Sequence, residues 1–160
     1  MLAISDMRLL LALDSSRFAE AAIHAVFSRV RQDQTQVLVL HAVDWSDFMP
    51  TPCPVVGVEP MFSARQLESI IGSETQRAQE LVKTVAERLR MAAFDASASV
   101  REGDPKMVIL DCAIEWKADL NVVDSHGRKG VTRFLLGSVS EAVARHAHCS
   151  VEIARLPTNG

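Results

Sequence analysis

Three nearly unbroken apolar runs, at residues 8–13, 37–43 and 120–123, do most to limit what this chain can fold into. A strand with one wet face alternates apolar and polar residues, whereas a strand covered on both faces stays apolar throughout, as in parallel sheets. Two further runs, at about 96–101 and 150–154, complete five candidate strands. Four segments of helical periodicity lie between them. Strands that alternate with helices in this way indicate an α/β domain with a parallel sheet. Right-handed crossovers then make the layout doubly wound, with helices on both faces.

The helical stripes carry their own boundaries. Phe18, Ala21, Ala22, Ala25, Val26, Phe27 and Val30 form the first, entered through Ser15 or Ser16 as cap. Ala78, Leu81, Val82, Val85 and Leu89 form the second, which extends back towards Ser63 with Gly72 as a weak point. Asp104 followed by Pro105 reads as an N-cap with proline at the first helical position, opening a helix through Trp116. Ser138-Val139-Ser140-Glu141 fits the capping-box pattern and puts a fourth N-terminus at Ser138, with Val139, Val143 and Ala147 as its stripe. Residues 45–62 contain Pro50, Pro52, Pro54, Gly57 and Pro60 and read as a long loop. Such a loop serves as a lid, a binding loop or a plain insertion. Residues 156–160 read as a tail, and the 160 residues together as one domain, with its core at about 8–155.

Composition removes several classes of function. The net charge is −3, and no basic face argues for nucleic acid. No stretch approaches the roughly 18 consecutive apolar residues of a membrane span, and no leader is visible at the N-terminus. The cytoplasm is therefore the expected location. Cys53, Cys112 and Cys149 are too few and too scattered for a zinc cluster or a disulfide framework. Their odd number fits a reducing compartment. There is no Gly-x-x-x-x-Gly-Lys loop, no Gly-x-Gly-x-x-Gly after the first strand and no Gly-x-Ser-x-Gly elbow.

Chemistry concentrates after the fourth strand. Asp124-Ser125-His126-Gly127 is followed by nine residues and then by Gly137-Ser138. Gly127 and Gly137 lack a Cβ, so the backbone there can bend and approach a ligand closely. The helix N-terminus beside them offers N–H groups and the positive end of a dipole to an anion. Asp124 brings a negative charge to the same place. Ligands of doubly wound sheets sit beyond the strand C-termini, where strand order reverses. If the reversal falls between the first and fourth strands, Asp14 and the 124–137 loop face one crevice. Asp14 then either faces a ligand in that crevice or acts as a turn residue bonded to its own backbone. His126 could touch a phosphate, and His146 and His148 are spaced too poorly for a metal. Asp104 and Pro105 are accounted for as a helix start.

From about Arg8 to Arg155 the chain resembles the universal stress protein domain. The ATP-binding motif of that family is Gly, two residues, Gly, nine residues, Gly, then Ser or Thr. Gly127, Gly137 and Ser138 stand at its later positions. Leu135-Leu136-Gly137-Ser138-Val139-Ser140-Glu141, Arg145-His146-Ala147 and Leu11-Ala12-Leu13-Asp14-Ser15-Ser16 are similar to its flanking consensus. The resemblance implies a five-stranded parallel sheet in the order 3-2-1-4-5. It implies an adenine nucleotide (ATP, ADP or AMP, with or without Mg2+) between the first and fourth strands. Asp14 would meet the ribose or flank the adenine, and the Ala42 backbone would meet the adenine edge. Gly127, Gly137, Ser138, Val139 and Ser140 would wrap the phosphates, and Ala12, Leu13, Val123, Asp124 and His126 complete the implied site. Homodimers in the family often form through the last strand, here residues 150–154, where Glu152 replaces the apolar residue of many relatives.

The departure from the motif is Asp124, which stands where its first glycine belongs. A carboxylate about 4 Å from a phosphate charge costs roughly 4 kcal/mol at an effective dielectric of about 20, or about a thousandfold in affinity. Arg128, Lys129 and Arg133, or a divalent metal shared with the phosphate, could offset part of that. Two functions follow. One is a stress-response or signalling module that acts by holding an adenine nucleotide. The other is a nucleotide-independent dimeric interaction protein in which Asp124 has abolished ATP binding. A weak ATP hydrolase is a third, although no positioned base stands out.

Overall fold

Burial of Leu9, Leu10, Leu11, Ala12 and Leu13 in succession follows from the place of their strand at the centre of the sheet. The computed structural model describes residues 7–16, 19–47, 63–125 and 136–155. In chain order the elements are β1 (Met7–Leu13), α1 (Ala19–Arg29), β2 (Thr35–Val43), α2 (Ala64–Met91), β3 (Asp95–Glu102), α3 (Pro105–Glu115), β4 (Leu120–Asp124), α4 (Ser138–His146) and β5 (Ser150–Ala154). Single 3-10 turns occur at Gln32–Gln34 and Trp45–Asp47. The sheet runs β3-β2-β1-β4-β5 with every pair parallel, the order the family resemblance implies.

Alternate residues of the same strands feed two cores. Leu9, Leu11, Val37, Val39 and Val122 pack under α1 and α2. Leu10, Ala12, Leu38, Leu40 and Val123 pack with α3 and α4 on the other face. Each buried aliphatic side chain contributes about 1.5–3 kcal/mol, which is why neither face tolerates polar residues easily. Asn121 is one of the buried polar residues of the strands, with Thr35 and His41. It is 0% exposed, and neither its side-chain oxygen nor its nitrogen has a hydrogen-bond partner among the described residues. By strand alternation it faces the α3/α4 side, like its register partner Leu10.

Helix starts differ from one another in an instructive way. The long helix α2 opens with a true capping box: Gln66 N–H donates to Ser63 Oγ at 3.3 Å, and Ser63 N–H donates to Gln66 Oε1 at 2.8 Å. Gly72, expected as a weak point, lies inside this unbroken helix. At α4 the expected capping box is absent. Gly137, not Ser138, is the N-cap, and Glu141 pairs instead with Arg145 at 2.9 Å. The cause lies upstream. Gly137 N–H donates to the Ser125 carbonyl at 2.9 Å, and Ser140 Oγ donates to the carbonyls of Gly137 (3.0 Å) and Ser125 (3.3 Å). These bonds draw the chain into helix one residue early, so Ser138 is already helical.

Register fixes what emerges at the sheet's carboxyl edge. Leu13 lies opposite His41, and Ala12 lies opposite Val123. Asp14, Asp44 and Asp124 therefore leave or end neighbouring strands at one rim. Of the expected 45–62 loop, residues 45–47 form the 3-10 turn. Residues 48–62 and the 156–160 tail lie outside the described residues.

Candidate functional site

Beyond the carboxyl ends of β1, β2 and β4 the chain encloses a cleft of about 450 Å3. Ala12, Leu13 and Asp14 reach it from β1, and Val123 and Asp124 from β4. The end of β2 adds Leu40, His41 and Ala42, and the turn after it adds Asp44 and Ser46. The first turns of α3 and α4 form the remaining walls: Asp104, Pro105, Lys106 and Ile109 from one, Gly137, Ser138, Val139 and Ser140 from the other.

The rim is held by short local bonds. Asp14 Oδ1 accepts from Ser16 N–H at 2.8 Å, and Asp44 Oδ1 accepts from Ser46 N–H at 2.9 Å. Each is a turn in which an Asp side chain takes the place of a backbone carbonyl. His41 is buried, with Nδ1 2.8 Å from the Leu13 carbonyl. A carbonyl only accepts, so Nδ1 carries the proton and donates. The last carbonyl of β1 is thereby satisfied at the point where Asp14 begins. Gly103 N–H donates to the Val43 carbonyl at 3.0 Å and turns the chain from β3 into α3 across the cleft.

Two helix N-termini meet here in different states. Asp104 caps α3, with Oδ1 accepting from Lys106 N–H at 2.9 Å. Gly137 has no side chain with which to cap α4, and no described side chain does so. Its first turn keeps the partial positive charge that attracts anions. Against that, Asp14, Asp44, Asp104 and Asp124 surround the opening, and among the described lining residues Lys106 is the one lysine or arginine. The arrangement can hold a small ligand with an apolar body and an anionic end. Among the described residues no group of three or more His, Cys, Asp or Glu could hold a metal by itself.

Neither described cysteine fits a nucleophile. Burial raises the Cys112 thiol pKa above its ordinary value, and burial is also the main cause of the rise at Cys149. Both thiols therefore stay protonated and unreactive near neutral pH. Neither lines the cleft. No described helix is long and apolar enough to cross a membrane.

Ala12, Leu13, Asp14, Ala42, Val123, Asp124, Gly137, Ser138, Val139 and Ser140 were all expected at one site, and all line this cleft. His126 and Gly127, with Arg128, Lys129 and Arg133, lie outside the described residues. Sequence reasoning missed Leu40, His41, Ser46, Lys106 and Ile109 as wall residues. It also took Asp104 and Pro105 for a helix start alone, whereas they shape the cleft as well. A usable signal existed for Asp104, since a helix that follows a parallel strand begins at the carboxyl edge where ligands sit. No motif marked Lys106 or His41.

Comparison with known proteins places these features in a family. Residues 7–155 match the model of the Universal stress protein family. Universal stress protein MJ0531 of Methanocaldococcus jannaschii is 33% identical over 138 residues, covering 86% of this chain and 75% of that one. Universal stress protein UspA from Lactobacillus plantarum superposes with a TM-score of 0.76 at 23% identity, covering 94% of this chain and 99% of that one. A universal stress protein family protein from Arabidopsis thaliana, solved with AMP bound, has a TM-score of 0.67 at 19% identity, covering 96% and 94%.

Proposed function

This chain belongs to the universal stress protein family, and we propose that its cleft binds an adenine nucleotide and that the protein serves a stress response or signalling by binding rather than catalysis. The observation that carries this reading is the start of α4, which Gly137 cannot cap and no described side chain caps, opening on a cleft of about 450 Å3. That volume lies within the roughly 300–1,000 Å3 of small-molecule sites. Leu40, Ala42, Ile109 and Val139 offer apolar surface to a purine, and the α4 tip offers N–H groups to a phosphate. The AMP-bound protein from Arabidopsis thaliana supports adenine as the base.

In this pose Asp14 meets the ribose, and the Ala42 backbone meets the adenine edge. Gly137, Ser138, Val139 and Ser140 surround phosphate, while Ala12, Leu13, Val123 and Asp124 form the walls. His126 and Gly127 would close the phosphate side. ATP, ADP and AMP are all candidates by chemistry. Mg2+ would come in with the phosphates and take a carboxylate as an added ligand, since it seldom uses an all-protein cage. The protein works in the cytoplasm as a homodimer, with the β5 edge as the pairing surface. There Val151 and Ile153 are half-buried, while Glu152 turns to the opposite face and pairs with Arg29 of α1.

Thermal unfolding with nucleotide tests the reading. A ligand at about 100 times its Kd adds ~2.7 kcal/mol to the folded state. For a protein of this size that raises Tm by about 5–10 °C. No shift with ATP, ADP or AMP, with or without Mg2+, would remove the reading and leave the nucleotide-independent dimer.

A further inference from the structure

We infer that His41 is a positioning residue for the ligand: through the Leu13 carbonyl it fixes where β1 delivers Asp14 to the cleft. This rests on the adenine-nucleotide reading, in which Asp14 meets the ribose, and supplies the residue that places that contact. His41 Nδ1 lies 2.8 Å from the Leu13 carbonyl oxygen, and the two residues are 28 apart in sequence. Register sets them opposite each other, with Leu13 ending β1 while Ala42 and Val43 still follow in β2. The bond is buried, and Leu13, Asp14, His41 and Ala42 all line the cleft.

Rigidity carries the effect from one residue to the next. A peptide unit is planar, so the Leu13 carbonyl and the Asp14 Cα lie in one rigid plate. Holding that oxygen fixes how the chain enters Asp14. On the other side of Asp14, Ser16 N–H donates to Oδ1 at 2.8 Å and fixes the carboxylate. The second restraint is local, whereas the first ties β1 to β2. By strand alternation the imidazole leaves β2 on the side of Val37 and Val39, towards α1 and α2. Its neighbours Leu40 and Ala42 pack on the α3/α4 side, where the helical walls of the cleft stand. The ring therefore braces the cleft from behind and sets the Asp14 side against the Ala42 side. Buried carbonyls take a donor wherever one can be reached. Without the imidazole the Leu13 carbonyl would turn to find another, and Asp14 would turn with it.

The test separates the bond from the bulk of the ring. Asparagine carries its amide nitrogen on Cγ, as histidine carries Nδ1, so His41→Asn keeps the donor, whereas His41→Leu has none. Calorimetric titration of the full chain with AMP, ADP and ATP, with and without Mg2+, identifies the nucleotide that binds most tightly. For that nucleotide His41→Leu should bind about tenfold more weakly than the native protein, and His41→Asn should stay within about threefold. Tm should nevertheless fall in His41→Asn, because the smaller side chain leaves a cavity. In an Asp14→Ala background His41→Leu should cost little more, since its effect passes through Asp14. Affinity that follows Tm, with the asparagine variant as weak as the leucine one, would leave His41 a structural role and overturn the inference. So would additive losses with Asp14→Ala, or native affinity in His41→Leu. If the leucine variant fails to fold, the asparagine variant and nitrogen NMR of the native imidazole decide. Retained affinity with a proton on Nδ1 is the expected result, and the loss of either overturns the inference. Silence of the native protein with all three nucleotides removes the proposed function instead, which keeps the two failures apart.

Discussion

α3 and α4 lie on the same face of the sheet and bring their first turns to the same cleft, yet one end is closed and the other open. α3 is closed by its own Asp104 and begins with Pro105, which has no N–H to satisfy. α4 is preceded by Gly137, which has no side chain with which to cap. A good N-cap stabilises a helix by about 1 kcal/mol relative to alanine. In the proposed function the missing Gly137 cap leaves N–H groups at α4 for a ligand, which would make α3 the structural end and α4 the receptive one.

The largest effect should come from closing the open end. Ser138 is exposed at the first helical position, so Ser138→Glu places a carboxylate where it suits the helix dipole but opposes a phosphate. Nucleotide affinity should fall about tenfold to a hundredfold by calorimetry, while Tm without ligand holds or rises slightly. Unchanged affinity would show that the α4 tip is not the anion seat.

Next in size is a change beneath both helices and outside the cleft. Asn121→Leu removes a buried amide without partners, a group whose burial costs about 1–3 kcal/mol. Tm should rise by about 3–6 °C, with nucleotide affinity unaffected. A fall in Tm would mean that the amide is satisfied in solution.

Opening the closed end should have the smallest effect. Asp104→Ala removes the α3 cap, for a loss of about 1 kcal/mol in denaturant unfolding. Because it also removes one wall carboxylate, nucleotide affinity should rise a few-fold. A loss of affinity would instead assign Asp104 to the ligand.

Two similar tetrapeptides show how far local sequence could be read. Ser63 to Gln66 and Ser138 to Glu141 fit one capping pattern, but only the first forms it. The first is an exposed helix start whose backbone bonds, among the described residues, stay within its own first turn. The second is captured by the Ser125 carbonyl, a partner twelve residues from Gly137. Gly137 teaches the same lesson. Its φ of −63° is open to any residue, so glycine is not needed there for its backbone freedom. What counts is the missing side chain at the cap.

The amino-acid order by itself determined the five strands, their two-sided burial and the two ends of the cleft at Asp14 and at Asp124 with Gly137 to Ser140. These features depend on local periodicity and on residues close together in the chain. Only the tertiary structure decided that His41 would hold the end of β1, that Lys106 would face the α4 tip's cleft, and that Asp104 would be wall as well as cap. Strand register and crossovers bring those groups together from positions 41, 104 and 106 to meet residues near 14 and 124. No nearest-neighbour pattern records such a meeting.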